Sequence, residues 1–201
     1  MAWARTKTGW WWRLAIVIWF GVMLVQNWHD PQFALARLSN PFSALDMGIH
    51  ELGHALFSVF GEFMHIAGGS LFQCIFPLLW LGAFLQKRYY FASALCLSWL
   101  GLNLFDVAAY AADAQSRLLP LAGGLASIGA EDTEATYDAG HDWYQLLSRT
   151  GHLQNDNAIA DSLRTAGSII YIVGLIFATL LVVIMITTVI RRHREQVAKD
   201  A

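Results

Sequence analysis

The chain has 201 residues, of which 56% are hydrophobic and 14% charged, with a formal net charge of −2. Soluble domains carry roughly 25% charged residues, so this composition excludes an ordinary soluble domain. The weak negative charge, with no dense basic face, excludes a nucleic-acid partner.

Taken in chain order, the first apolar run is Leu14 to Val25, preceded by Arg5, Lys7 and Arg13 and edged by Trp10, Trp11, Trp12 and Trp28. No small-residue cleavage site follows it, and tryptophans gather at bilayer interfaces, which predicts a retained transmembrane helix over about 10–28. Residues 29–40 read as a connector. Asn40-Pro41 suits a helix start, with the asparagine as cap and the proline in the first turn, so a helix is expected over 41–60. Gly61 and then Gly68-Gly69-Ser70 predict a turn or non-helical stretch. Apolar segments follow at 71–86, ending at Lys87-Arg88, and at 89–112, interrupted by Asn103 and Asp106.

A polar segment over 114–166 comes next, containing the acidic run Glu131-Asp132-Thr133-Glu134 and then His141-Asp142-Trp143. Short helices are expected in it near 143–150 and 156–166. Residues 169–190 hold no charge, enough to exceed the roughly 20 apolar residues that cross a bilayer. Arg191, Arg192 and Arg194 follow at once, as at a cytoplasmic stop, so a last transmembrane helix is expected over 167–190. Cys74 and Cys96 both fall in apolar segments and read as packing residues.

These segments predict an all-α, polytopic membrane helix bundle forming a single domain over 1–201. Basic residues cluster at the N-terminus, at Lys87-Arg88 and in the C-terminal tail. The positive-inside tendency puts all three, and both termini, in the cytoplasm of a cell whose inner membrane holds the protein. An odd number of full crossings must then lie between residues 29 and 87, although two apolar segments, 41–60 and 71–86, lie there. About four full crossings plus one incomplete, membrane-dipping segment satisfy this count. Irregular backbone at that depth needs protein or a water-filled cavity around it, and Gly68-Gly69 and Pro77 suit such a break. The motif helix is expected to start on the outer side. That places His50 at the same membrane face as Asp106, Asp113 and His141.

His50-Glu51-Leu52-Gly53-His54 is an H-E-x-x-H sequence. Residues four apart share a helix face, so both imidazoles can bind one Zn²⁺. Glu51 between them can act as general base on a metal-bound water. Catalytic zinc takes three protein ligands and keeps one open position. Asn103, Asp106, Tyr110, Asp113 and Arg117 recur at helical spacing on one face. An aspartate exposed to lipid is costly, which makes Asp106 the first candidate for third ligand, followed by Asp113. His141 is the rival from the outer loop, with Asp142 or Trp143 shaping its approach. Asp46, four residues before His50, is placed to orient a ligand imidazole through its other N–H, and Asn103 lies beside the aspartates. His65 reads as making an ordinary polar contact.

His50-Glu51-Leu52-Gly53-His54-Ala55-Leu56 in a polytopic membrane chain resembles the site-2 protease group of intramembrane zinc metalloproteases. That family pairs its H-E-x-x-H helix with an aspartate from a later transmembrane helix, within an Asn-x-x-Pro and Asp-Gly pattern. Asn103 and Asp106 lie in a comparable place, although position 106 is Asp where the family has Pro, and no Asp-Gly follows in the helix. The likeness extends over about 41–117 and is specific around the first motif, as in a divergent branch. It implies a membrane zinc metalloprotease acting on a membrane protein or peptide, with Glu51 as base. Two other classes use the same residues: a zinc-binding membrane scaffold without hydrolysis, and a zinc-dependent lipid-amide hydrolase.

Overall fold

A computed structural model describes residues 9–29, 42–119 and 140–200, and among these it contains helices and no strands. Six α-helices follow one another: α1 Trp10–His29, α2 Ser43–Phe57, α3 Glu62–Gln86, α4 Tyr90–Ala112, α5 Asp142–Thr150 and α6 Asp156–Asp200. The Asn40-Pro41 start expected for the motif helix and the acidic run 131–134 lie outside the described residues.

Three helices, α3, α4 and the one reaching from Leu153 to Asp200, are long and apolar enough to cross a membrane. The fourth expected crossing, α1, has the length but is not among them. Its three leading tryptophans, Arg13 and the Gln26-Asn27 pair dilute its apolar residues.

α4 lies at the centre. It runs antiparallel to α6 in the most extensive helix pair of the bundle. Small residues set the separation, because association inside a membrane depends on close backbone approach. A Cβ on Gly101 would sit 2.6 Å from Tyr171 Cβ and 2.7 Å from the Gly167 carbonyl oxygen; one on Gly174 would sit 2.6 Å from Ser98 Oγ. Ser98 Oγ donates to the Tyr171 carbonyl at 3.2 Å, and the Tyr171 hydroxyl donates to the Phe20 carbonyl at 2.7 Å, tying α4, α6 and α1 together. Around that tie Phe20, Met23, Leu102, Phe105, Ala109 and Tyr171 form the buried core. Gly101→Ala is expected to destabilise the bundle by about 1–3 kcal/mol, the usual cost of overpacking, although alanine favours helix over glycine. Thermal unfolding in detergent measures it.

The structure departs from the sequence reading at three places. Gly68 and Gly69 do not break a helix; α3 runs through them and through Pro77 without interruption. The turn falls earlier, in a short 3-10 stretch at Ser58–Phe60 closed by Gly61 at φ 96, a left-handed conformation that glycine adopts at little cost. Gly68 instead serves the α2–α3 crossing. Its added Cβ would lie 2.6 Å from the Gly53 carbonyl oxygen, and one on Gly53 would lie 2.3 Å from that of Gly68.

Of the two α-helices described between residues 29 and 87, α2 is the short one. Its 15 residues reach about 22 Å, against about 37 Å for the 25 residues of α3. Its direction also differs from the expectation. α2 begins with Phe42 packed on Trp99, Trp19 and Phe20, midway along α4 and α1. It then runs in the same sense as those two helices and turns into α3. Lastly, the helix expected near 156–166 is the start of α6 and not a separate element. No breaker intervenes, since Gly167 packs against Leu104 and Phe105 on α4.

The described basic clusters gather at one end. The Arg13 guanidinium lies 4.2 Å over the Trp12 ring and 5.7 Å from that of Phe91, at the start of α4 beside Lys87 and Arg88. α6 descends to the same end before Arg191. The H-E-x-x-H residues sit toward the other end, together with Asp106, Asp113 and His141, as the charge pattern implied. Cys74 and Cys96 are both free thiols.

Candidate metal centre

α2 places His50 and His54 one turn apart, facing α3, with ring centroids 4.8 Å apart. Room for both rings comes from Gly69. A Cβ there would lie 2.5 Å from His50 Nε2 and 2.7 Å from His54 Nε2. The third member arrives from a distant segment. His50 Nε2 lies 3.0 Å from Oδ2 of Asp142, and His54 Nε2 lies 3.2 Å from the same oxygen. Among the described residues these three form a group able to hold a metal ion, with donor atoms within 4.8 Å of one another.

Hydrogen bonds on the far side of each ring settle where its proton lies. His54 Nδ1 is 2.8 Å from the His65 carbonyl oxygen, and His65 Nδ1 is 2.9 Å from the His54 carbonyl oxygen. A carbonyl only accepts, so both Nδ1 atoms carry hydrogen. His50 Nδ1 is 3.1 Å from Gln73 Oε1, another acceptor. Neutral His50 and His54 therefore both turn Nε2 lone pairs toward Asp142. Lone pairs at this range repel unless a cation lies among them.

A proton is one such cation. The hydrogen bond that protonated His54 donates to Asp142 is the main reason the His54 pKa is raised to about 9, against the opposing effect of burial. Burial pushes the Asp142 carboxyl up, but its hydrogen bonds to His50 and His54 outweigh this and hold it below the usual range. A metal ion is the other cation. Zinc bond lengths of about 2.0–2.1 Å place tetrahedral donors about 3.3 Å apart, near the observed separations. Two imidazoles and a carboxylate, each ring oriented through its second nitrogen, match the donor set and outer-shell pattern of catalytic zinc. Gly69→Ala tests the cradle. Any metal uptake should fall with helix content unchanged, because alanine strengthens a helix while displacing both rings.

The third position thus goes to Asp142, where the sequence reading favoured Asp106, Asp113 or His141. His141 is almost fully buried and points elsewhere. It caps α5, its Nδ1 accepting from the Tyr144 N–H at 3.3 Å, while its Nε2 lies 3.3 Å from Asp113 Oδ2. Asp113 also accepts from Ser116 Oγ and from the N–H groups of Leu118 and Leu119. Burial raises its pKa, and these hydrogen bonds together lower it further. Asp113 and His141 therefore pair with each other and anchor the start of α5. From there Asp142, in the first turn, reaches the histidines. Trp143 Nε1 donates to Ser70 Oγ at 3.2 Å, and Arg149 pairs with Glu62, so α5 is held on α3.

Asp106 accepts a hydrogen bond of 2.9 Å from Gln73 Nε2 and so stands behind His50. Asp46 was expected to orient His50, but that place belongs to Gln73; Asp46 Oδ1 accepts from Trp99 Nε1 at 2.8 Å. Asn103 lies by Gln73, donating to its backbone carbonyl at 2.8 Å. Tyr110 sets its ring edge to His141, and the Arg117 guanidinium lies 4.7 Å over the Tyr144 ring. Glu51 follows His50 on α2 with its side chain exposed. Sequence reasoning missed Gln73, a lone polar residue in an apolar helix, and treated Asp142 as an accessory to its neighbour. No protein-family model matches the chain, and neither does any curated protein or any solved structure.

Proposed function

We propose that the protein is a membrane-embedded zinc hydrolase that cleaves peptide bonds of membrane proteins or peptides, a divergent relative of the site-2 proteases. The observation that carries this reading is the convergence of His50 Nε2 and His54 Nε2 on one oxygen of Asp142. Glu51, the motif's general base, stands beside them.

Zinc held by these three residues would supply Lewis acidity for the scissile carbonyl and for the attacking water. Glu51 takes a proton from that water and delivers it to the leaving amine, so that water and amide become carboxylic acid and amine. Gln73 and the His65 carbonyl hold the two imidazoles in place. The side chains of His50, His54 and Asp142 are 21%, 15% and 23% exposed, so the donors open to the protein surface and are not sealed in its interior.

The site differs from the resembled family in the origin of its aspartate as well. Its aspartate comes from the first turn of α5, after the polar segment, and not from within a transmembrane helix. With the basic end in the cytoplasm, both termini are cytoplasmic and the centre lies near the outer face of the cell membrane. The test is hydrolysis of membrane-peptide substrates by purified, zinc-loaded protein in bilayers, with a lipid amide as the competing substrate. Cleavage of the lipid amide alone would move the assignment to the lipid-amide hydrolases. Zinc bound with neither substrate cleaved would leave the scaffold.

A further inference from the structure

Resting on the metal centre proposed above, we infer that Asp106 is a positioning residue. Through Gln73 it selects which nitrogen of His50 carries the proton, and so keeps the Nε2 lone pair available to a metal ion.

The two ligand histidines are secured differently. His54 Nδ1 faces a backbone carbonyl, which cannot exchange donor for acceptor. His50 Nδ1 faces a side-chain amide, which can. Were the Gln73 amide reversed, its NH₂ would point at His50 Nδ1 and force the hydrogen onto Nε2, where it would block the metal. Something must therefore hold Gln73 in one orientation, and two groups do.

Asp106 Oδ2 lies 2.9 Å from Gln73 Nε2. An ionised carboxylate only accepts, so it holds the amide nitrogen on its side and leaves Oε1 toward His50. Asn103 adds to this by way of Pro77. Proline has no N–H, so the Gln73 carbonyl four residues earlier lacks its helical partner. Asn103 Nδ2 takes its place at 2.8 Å, which turns Asn103 Oδ1 toward Gln73 Nε2 at 3.4 Å. Gln73 is 2% exposed and Asn103 1%, so water does not compete for either bond. The polar stripe on α4 thus acts on the metal centre at one remove.

The decisive experiment exchanges donor and acceptor. In Asp106→Asn, residue 106 offers both an NH₂ and an oxygen, and the orientation of Gln73 is no longer enforced. Zinc affinity, measured by competition with a chelator, should fall about 10–100-fold, the usual effect of losing an outer-shell partner. In the double variant Gln73→Glu with Asp106→Asn, the new glutamate accepts from both His50 Nδ1–H and the asparagine NH₂. The net charge of the pair is unchanged, although the carboxylate moves from half-buried position 106 to buried position 73, and affinity should return toward that of the wild type. A role limited to packing predicts no such rescue.

A second readout is independent of metal. Nitrogen NMR of labelled histidine in metal-free Asp142→Ala, which lacks the carboxylate competing for the His50 proton, should show hydrogen on Nδ1. Adding Asp106→Asn should yield a mixture of both tautomers. Unchanged zinc affinity in Asp106→Asn, an unchanged tautomer, or a double variant no better than the single one overturns the inference and leaves the metal centre standing. Wild-type protein that takes up no zinc overturns the metal centre and this role together.

Discussion

On the proposed mechanism, Glu51→Gln is expected to retain zinc and lose hydrolysis. Glutamine preserves the size of the side chain but accepts no proton, so a general base is removed with little change in shape. The turnover rate should fall by at least about 10²–10⁴-fold, the contribution of one positioned acid–base group. The donors His50, His54 and Asp142 are untouched, so metal content should stay at the wild-type level. Both quantities are read on one preparation, by peptide cleavage and by elemental analysis. Substantial residual cleavage in this variant would falsify the proposed mechanism. Lost zinc would instead show that Glu51 belongs to the donor set.

Asp142→Ala should strip the metal. It removes one of three donors, and it leaves His50 Nε2 and His54 Nε2 without the carboxylate that now lies 3.0 and 3.2 Å away. Zinc content after dialysis should fall close to that of His50→Ala. Asp113→Ala and His141→Ala act only through the anchoring of α5, so they should lower affinity by less than Asp142→Ala. Asp106→Ala should do likewise, since Asp106 is separated from the centre by Gln73. A chain that keeps its zinc without Asp142 and loses it without Asp106 or Asp113 would restore the transmembrane aspartate as ligand. Structural collapse is distinguished from ligand loss by helix content, which Asp142→Ala should leave intact.

Much of this site is written locally. His50, Glu51 and His54 are legible because helical geometry fixes the relation of positions four apart whatever the surroundings. The gathering of basic residues at one end is equally legible, and it placed the motif and the α4 aspartates together correctly. The third member of the His50–His54 group was not legible. Asp142 is 92 residues from His50, and an aspartate in a polar segment carries none of the desolvation cost that draws attention to Asp106. Reasoning from that cost found an aspartate coupled to the group, but one step behind Asp142. His141, a better zinc ligand by residue type, is taken up by the α5 cap and by Asp113.

Glycine shows the same division. Gly61 and Gly68-Gly69 carry equal propensity to end a helix, yet only Gly61 does so. Gly68 and Gly69 stay helical because α2 lies against them, and a Cβ there would meet the Gly53 carbonyl or the two imidazoles. Local sequence was thus sufficient for the helical class, for three long apolar helices and for the two histidines with their glutamate, since each depends on neighbours within a turn or on summed composition. Packing assigned α2 as the short segment, chose Asp142 over its rivals and brought Gln73 behind His50. Those outcomes depend on which helices touch, and that is set by contacts across many tens of residues that no local pattern encodes.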